Sequence, residues 1–232
     1  RIKELFGSNV MSFPKPPALM NRILEIGSSK DSLVMDFFSG SATMADAVMS
    51  LNAADGGKRR FIMVQLPEVV DEATEAGKEG YTTICNVGEE RIRRAGEKIR
   101  AEVDEASRQL ELGAEPKPVP DIGFRVLRVD ESCFKDEYAA PGQYEQAALD
   151  LFTDNSAEDA LPLDLLFQVL PAFRIEYSAK IVEREIGGKA CFDVNGGQLI
   201  ACFDEDVDTV ALEAIAKERP LYAVFRDACF SN

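Results

Sequence analysis

Two continuous apolar runs mark the first hundred residues, Leu33-Val-Met-Asp-Phe-Phe38 and Phe61-Ile-Met-Val-Gln-Leu66. Runs of this length without polar alternation predict strands buried on both faces, as in a parallel sheet. Between them, Met44, Ala47, Val48 and Leu51 share one face of a helix over 43–51. The stretch Asn52-Ala-Ala-Asp-Gly-Gly-Lys58 then reads as a turn of residues that tolerate positive φ. Upstream, Arg1 to Phe6 is helical and Phe13-Pro-Lys-Pro-Pro17 is extended, because each proline pushes its predecessor out of the helical region. Ala18 to Ile26 is a short amphipathic helix on Leu19, Ile23, Leu24 and Ile26, closed by Gly27-Ser-Ser. Downstream, the pattern predicts a helix from Val69 to Glu79 closed by Gly80, and a third strand over Tyr81-Thr-Thr-Ile-Cys-Asn-Val87. A long charged helix runs from Gly88 to about Leu112, with Ile92, Ala95, Ile99 and Val103 as its thin apolar stripe. Strands and helices alternating at this spacing point to right-handed βαβ crossovers.

Gly113-Ala-Glu-Pro-Lys-Pro-Val-Pro-Asp121 interrupts this pattern with Pro116, Pro118 and Pro120. Such a segment is a semi-rigid spacer, and it divides the chain into domains at 1–113 and 122–232 with a linker over 114–121. In the second domain Phe124 to Val129 alternates as a strand, and Glu145 to Leu151 is a short helix or loop. Ala157 to Val169 is a helix carrying Leu161, Leu165, Leu166 and Val169, capped by Asn155 or Ser156. Ile175 to Glu185 and Ala190 to Val194 are strands. Asn195-Gly-Gly197 signals a hairpin into Gln198–Phe203. A helix over Val207–Lys217, capped by Asp206 or Asp208, precedes a final strand from Leu221 to Phe225. This region is α+β with much antiparallel pairing.

The 232 residues suffice for one large or two modest cores. No apolar run reaches the ~18 residues needed to span a bilayer, so no membrane partner is expected. Histidine is absent, which removes Ser-His and Cys-His triads, and the five cysteines form no C-x-x-C pair. Neither a zinc site nor a disulfide framework is expected, and the cysteines read as core thiols in a reducing cytoplasm. The net charge of −15 is uneven. Residues 1–60 carry 8 basic and 6 acidic groups, whereas 121–232 carry 10 and 22, so the C-terminal half repels phosphate. Arg91, Arg93, Arg94, Lys98 and Arg100 are interleaved with Glu89, Glu90, Glu97 and Glu102, the pattern of a solvated, i,i+4-paired helix face.

The chemistry concentrates where the first apolar run ends. Asp36 closes the strand, Phe37 and Phe38 follow, and Ser39-Gly-Ser41 leads through Ala42 into the helix at Thr43. A small-residue turn between a strand's carboxyl end and a helix N-terminus is where open α/β sheets bind ligands, and Gly40 lets the backbone approach one closely. No G-x-G-x-x-G follows a strand, which disfavours a dinucleotide fold.

Three motifs in this order resemble one family. They are Phe13-x-Pro-Lys-Pro17, Asp36-Phe-Phe-x-Gly-Ser-x-Thr43, and Asn52-x-x-Asp-Gly-Gly-x-Arg-x-Phe-Ile-x-Val-Gln-Leu-x-Glu68. The chain resembles the adenine-specific DNA methyltransferase (modification, Mod) subunits of type III restriction–modification systems. The likeness is specific over about 10–100, through Gly80-Tyr-Thr-Thr-Ile84 and Glu90-Arg-Ile-Arg-Arg-Ala-Gly96. It is looser through Gly123-Phe-Arg-Val126, Leu151-Phe-Thr153 and the Phe225-Arg-Asp227 segment.

The resemblance implies a Rossmann-like half-sheet of a methyltransferase dependent on S-adenosyl-L-methionine, followed by a smaller α+β domain. In this family the methyl goes to N6 of adenine, whose amino group attacks it, with catalysis mostly by positioning. Carried over by position, Lys15 and Pro16 border the methionine end of the cofactor. Asp36, Phe37, Phe38, Ser39, Gly40, Ser41 and Thr43 form the cofactor turn. Gln65, or Glu68 three residues on, faces the ribose hydroxyls. Where the family has a second glycine this chain has Ala42, a methyl group at a position expected to need close approach or positive φ. The family's Asp-Pro-Pro-Tyr, which holds a flipped adenine, is absent, so no catalytic residue and no metal ligand is assigned. That motif and the target-recognition region are expected before Arg1. The implied partners are DNA, mainly through those regions, together with a homodimer mate and a restriction (Res) subunit. The competing expectation is a non-catalytic assembly module in which Ala42 has disabled the cofactor site.

Overall fold

The computed structural model describes residues 1–109, 117–133 and 160–230. The predicted helix over 145–151, the Leu151-Phe-Thr153 likeness, caps at Asn155 or Ser156 and the first part of the proline-rich linker lie outside them. The chain is mixed α/β and divides into two compact units, Arg1–Val126 and Leu127–Asn232.

The first unit runs α1 (Ile2–Phe6), α2 (Pro17–Gly27), β1 (Leu33–Asp36), α3 (Thr43–Asp55), β2 (Arg60–Met63), α4 (Glu75–Lys78) and α5 (Ile84–Arg108). β1 and β2 pair in parallel with Val34 opposite Phe61, joined by α3 as the predicted βαβ unit. Val34 and Phe61 pack on Met20 and Leu24 of α2 and on Ala47 and Val48 of α3. Met63 joins Ala45, Met49, Ile92, Ala95 and Ile99 between α3 and α5. These helices cover one face of the sheet. The expectation of strands buried on both faces is therefore corrected: Leu33, Met35 and Ile62, on the other face, are 53%, 59% and 43% exposed.

Two further expectations give way to local hydrogen bonding. Tyr81–Val87 is not a strand beyond a single antiparallel bridge between Val69 and Thr83. Thr83 and Asn86 instead form a capping box, so Ile84, Cys85 and Val87 become the first turn of α5. The same bridge draws Val69 and Val70 into extended pairing, and the helix expected over 69–79 shrinks to α4, started by the Thr74 hydroxyl accepting from Gly77 N. Phe124–Val129 is not a strand either. Ile122 and Phe124 pack on the α3–α5 core, with the Arg93 guanidinium 5.8 Å from the Phe124 ring centre.

The turn from α3 to β2 is held by side chains. Asn52 Nδ2 donates to Arg59 O at 2.9 Å and Asn52 Oδ1 accepts from Arg59 N at 3.1 Å. The buried Arg59 guanidinium reaches Asp55 at 3.0 Å and Ser28 Oγ at 3.0 Å.

In the second unit, α6 (Pro162–Val169) leads to a four-stranded sheet ordered β3 (Ile181–Ile186), β4 (Lys189–Val194), β5 (Leu199–Cys202), β6 (Tyr222–Phe225). The first two pairings are antiparallel and β5–β6 is parallel, with α7 (Thr209–Lys217) as its crossover. Leu165, Leu166 and Leu170 cover one face, and Ala211 and Ile215 cover the other. β5 is consequently buried on both sides. α6 begins at Pro162, later than expected, because proline suits the first helical position. β3 begins at Ile181, since a turn closed by Ala179 N to Glu176 O precedes it. The Asn195-Gly-Gly197 turn stands as expected with φ of 53°, 66° and 98°, and Asp208 caps α7. Cys191, Cys202 and Cys229 are core thiols, and burial pushes Cys191 up to about 12.

Arg59's hydrogen bond holds the Asp55 carboxyl below the usual carboxylate range. This stabilisation is present above the unfolded-state pKa of about 3.9 and is lost as pH falls through the lower folded value. Asp55→Asn should lower the urea midpoint at pH 7 and flatten its decline below about pH 4.

Candidate functional site

β1 delivers the chain at Asp36 into a tight turn that opens α3. Ala42 N donates to Ser39 O at 2.8 Å, with φ of 51° at Gly40 and 55° at Ala42. A Cβ at Gly40 meets only Met11 Cε at 3.6 Å, so the dihedral, not space, calls for glycine there. The turn is tied to the end of β2 by three bonds. Ser39 N and Oγ donate to Val64 O at 3.2 and 3.3 Å, and Gly40 N donates to Gln65 Oε1 at 2.8 Å. The N-cap of α3 is Ala42, which supplies no side-chain acceptor. The first-turn amides of α3 are thus left as donors at the positive end of the helix dipole.

The sequence-assigned residues separate into those above and those below this turn. Phe37 and Phe38 are 64% and 74% exposed, with ring centroids 5.4 Å apart. Asp36 is half-buried, its carboxylate accepting from Phe38 N at 3.4 Å. Gln65 spends its carbonyl on Gly40, while its Nε2 donates to Leu66 O at 3.2 Å and to the exposed Glu68 carboxylate at 3.4 Å. Of the two ribose candidates, Glu68 therefore has the carboxylate oxygens and Gln65 clips the turn. Lys15 and Pro16 are exposed. Pro16 is the N-cap of α2, and no hydrogen bond or ion pair joins Lys15 to the turn.

Ser41 and Thr43 point down. Both are buried, and their hydroxyls accept from Arg91 NH1 of α5 at 3.1 and 2.7 Å. Arg91 also donates through NH2 to Asp46 Oδ2 of α3 at 3.1 Å. This corrects the reading of the α5 arginines as one solvated face: Arg91 is fully buried, as is Asp46, while Arg93 and Arg94 pair with Glu90 at the surface as expected. Burial lowers the Arg91 pKa, with Asp46 opposing, yet a guanidinium stays protonated at neutral pH. Arg1 reaches the same carboxylate at 3.0 Å. Burial pulls its pKa down, and the hydrogen bond and charge of Asp46 outweigh this and leave it raised.

Ala42 has the positive φ anticipated from the missing glycine, but its methyl is 2% exposed and belongs to the α3–α5 core. A left-handed residue costs roughly 1–2 kcal/mol. Burying a methyl returns about 0.8 kcal/mol, and the bonds around the turn supply the difference. Gly88 of α5 lies under the same turn: a Cβ there would sit 3.2 Å from Gly40 O.

Residues 9–75 match the family model described as DNA methylase. That span holds every candidate residue from Lys15 to Glu68. The chain is 39% identical over 151 residues to the type III restriction-modification enzyme StyLTI Mod subunit of Salmonella typhimurium, which covers 65% of the chain and 20% of the relative. It is 32% identical over 159 residues to the EcoPI Mod subunit of Escherichia phage P1, 62% of the chain and 23% of that protein. The chain is similar to type III Mod subunits. It spans about a fifth of the length of these relatives. A type II methyltransferase, M.KpnI of Klebsiella pneumoniae, is 34% identical over 86 residues, 37% of the chain and 21% of the relative.

What sequence reading missed in this Mod-like segment is the Arg91–Asp46 pair. The signal was available: Gly88, Arg91, Ala95 and Ile99 share a helix face by i,i+3/i+4 spacing, which places a charge on the buried stripe. Arg91→Met should destabilise the first unit by about 3 kcal/mol in urea denaturation, because it removes the buried partner of the Asp46 carboxylate and leaves Arg1 as its remaining cation.

Proposed function

We propose that the first unit holds S-adenosylmethionine at the Asp36–Thr43 turn, as the cofactor part of a Rossmann-like DNA adenine-N6 methyltransferase of a restriction–modification system. The observation that carries this reading is the convergence at the carboxyl ends of β1 and β2. A positive-φ glycine turn, an uncapped helix N-terminus and an exposed carboxylate meet there, within the span matching DNA methylases. The donor set fits the cofactor's chemistry. The α3 amides suit its carboxylate, Asp36 its ammonium, Glu68 its ribose hydroxyls, and the Phe37 and Phe38 rings offer apolar faces for its adenine.

When bound, the cofactor supplies an activated methyl group. The residues of this chain bind and orient it: Gln65 and Ser39 keep the turn registered against β2, at the point where α3 begins without a side-chain cap. Lys15 and Pro16, at the entry to α2, lie on the methionine side in this reading. The buried Ala42 methyl speaks against the assembly-module alternative, which needs that methyl to obstruct the ligand.

DNA is the proposed substrate of the whole protein, engaged mainly by regions other than this chain, since residues 121–232 carry 22 acidic against 10 basic groups. A Res subunit and a second Mod-like copy are the proposed protein partners. No helix among the described residues is long and apolar enough to cross a membrane.

Calorimetric titration tests the proposal. Saturable heat is expected with S-adenosylmethionine and none with NAD. Glu68→Gln should weaken binding about tenfold or more, because an amide replaces a charge-assisted acceptor. No heat with the wild-type chain, or with an N-terminally extended one, overturns the cofactor reading.

A further inference from the structure

We propose that Arg91 is the positioning residue of the cofactor turn, holding Ser41-Ala42-Thr43 in the conformation that presents the α3 amides. This inference rests on the cofactor reading for its role and on geometry alone for its existence. One guanidinium gathers both sides of Ala42. NH1 donates to Ser41 Oγ at 3.1 Å, to Ser41 O at 3.5 Å and to Thr43 Oγ1 at 2.7 Å. Its Nε and NH2 donate to Asp46 Oδ2 at 3.4 and 3.1 Å, one helical turn further along α3. The fork thus spans the junction where the chain changes from left-handed at Ala42 to helical at Thr43.

Ala42 is the residue there with reason to leave. An alanine prefers negative φ, and only the groups on either side keep it at 55°. Glycine would hold that dihedral without help, so this chain depends on its arginine in a way that a glycine-bearing turn does not. Lysine cannot replace it, because a single ammonium lacks the planar fork needed to reach Ser41, Thr43 and Asp46 at once. Gly88, one turn before Arg91 on α5, leaves the room for the turn to sit directly on the helix.

The test reads two quantities from Arg91→Lys, which keeps the charge beside Asp46. Amide hydrogen exchange in the chain should accelerate about tenfold or more at the hydrogen-bonded amides of the turn, Gly40, Ala42 and Asp46, with protection retained in β2 and over Ile92–Val103 of α5. The Kd for S-adenosylmethionine should rise about tenfold, and adding Ala42→Gly should recover most of that loss, which a merely structural arginine would not allow. If Arg91→Lys does not fold, Thr43→Val removes the shortest of the bonds to the turn and should give the same localised exchange. Exchange that rises evenly through the first unit, or a turn as protected as in the wild type, overturns the proposal. Should the wild type bind no S-adenosylmethionine, the cofactor reading fails, and the exchange pattern still decides the role of Arg91.

Discussion

The first unit depends on a charge placed where charges are costly. Removing a guanidinium and a carboxylate from water costs several kcal/mol per ion, recovered only when geometry satisfies nearly every donor. Arg91 meets that condition against Asp46, Ser41 and Thr43, and a second arginine, Arg1, donates to both oxygens of Asp46. An apolar pair of similar volume would pack α3 against α5 as well. What it would not do is reach up to the turn. Such an arrangement trades raw stability for a defined backbone at one place, the junction of β1 and α3.

Above that junction the side chains divide their work. Gln65 and Ser39 lock the turn to β2 through Gly40 and Val64, and Glu68 and Asp36 are left as carboxylates near it. The amide at 65 suits its position: its oxygen accepts from a backbone N–H while its nitrogen donates to Glu68, two roles that a carboxylate cannot combine. Ala42 illustrates how a departure from a motif is absorbed. Its methyl enters the apolar core, so the cost is in backbone dihedral alone, and the neighbouring bonds bear it.

Much of this was legible in the sequence because local signals agreed with packing. The amphipathic α2, the α3 stripe, the Asn195-Gly-Gly197 turn and the cap of α7 at one of its two expected aspartates each rest on periodicity or on residue-specific backbone preference, although α2 takes in Pro17, expected in the extended entry. The tight turn from β1 into α3, and positive φ as one of the two demands expected at residue 42, were readable for the same reason. Three misreadings have one cause, competition from side-chain hydrogen bonds or tertiary contacts. Thr83 and Asn86 turned a β-prone run into a helix start, the Val69–Thr83 bridge consumed the start of a helix, and Phe124 was drawn onto a core instead of a sheet. Apolar runs such as Leu33–Phe38 promise burial without saying what covers the second face. Arg91 was hidden among charged neighbours, since composition does not reveal which arginine of a cluster points inward.

The central claim is that the Asp36–Thr43 turn is the seat of the cofactor. An amide-resolved NMR titration of the chain with S-adenosylmethionine addresses it at the atoms concerned. The account predicts saturable shifts at Phe38–Met44 and at Glu68, with β3–β6 unmoved. Shifts confined to the second unit, or an unchanged turn at saturating cofactor, would contradict it.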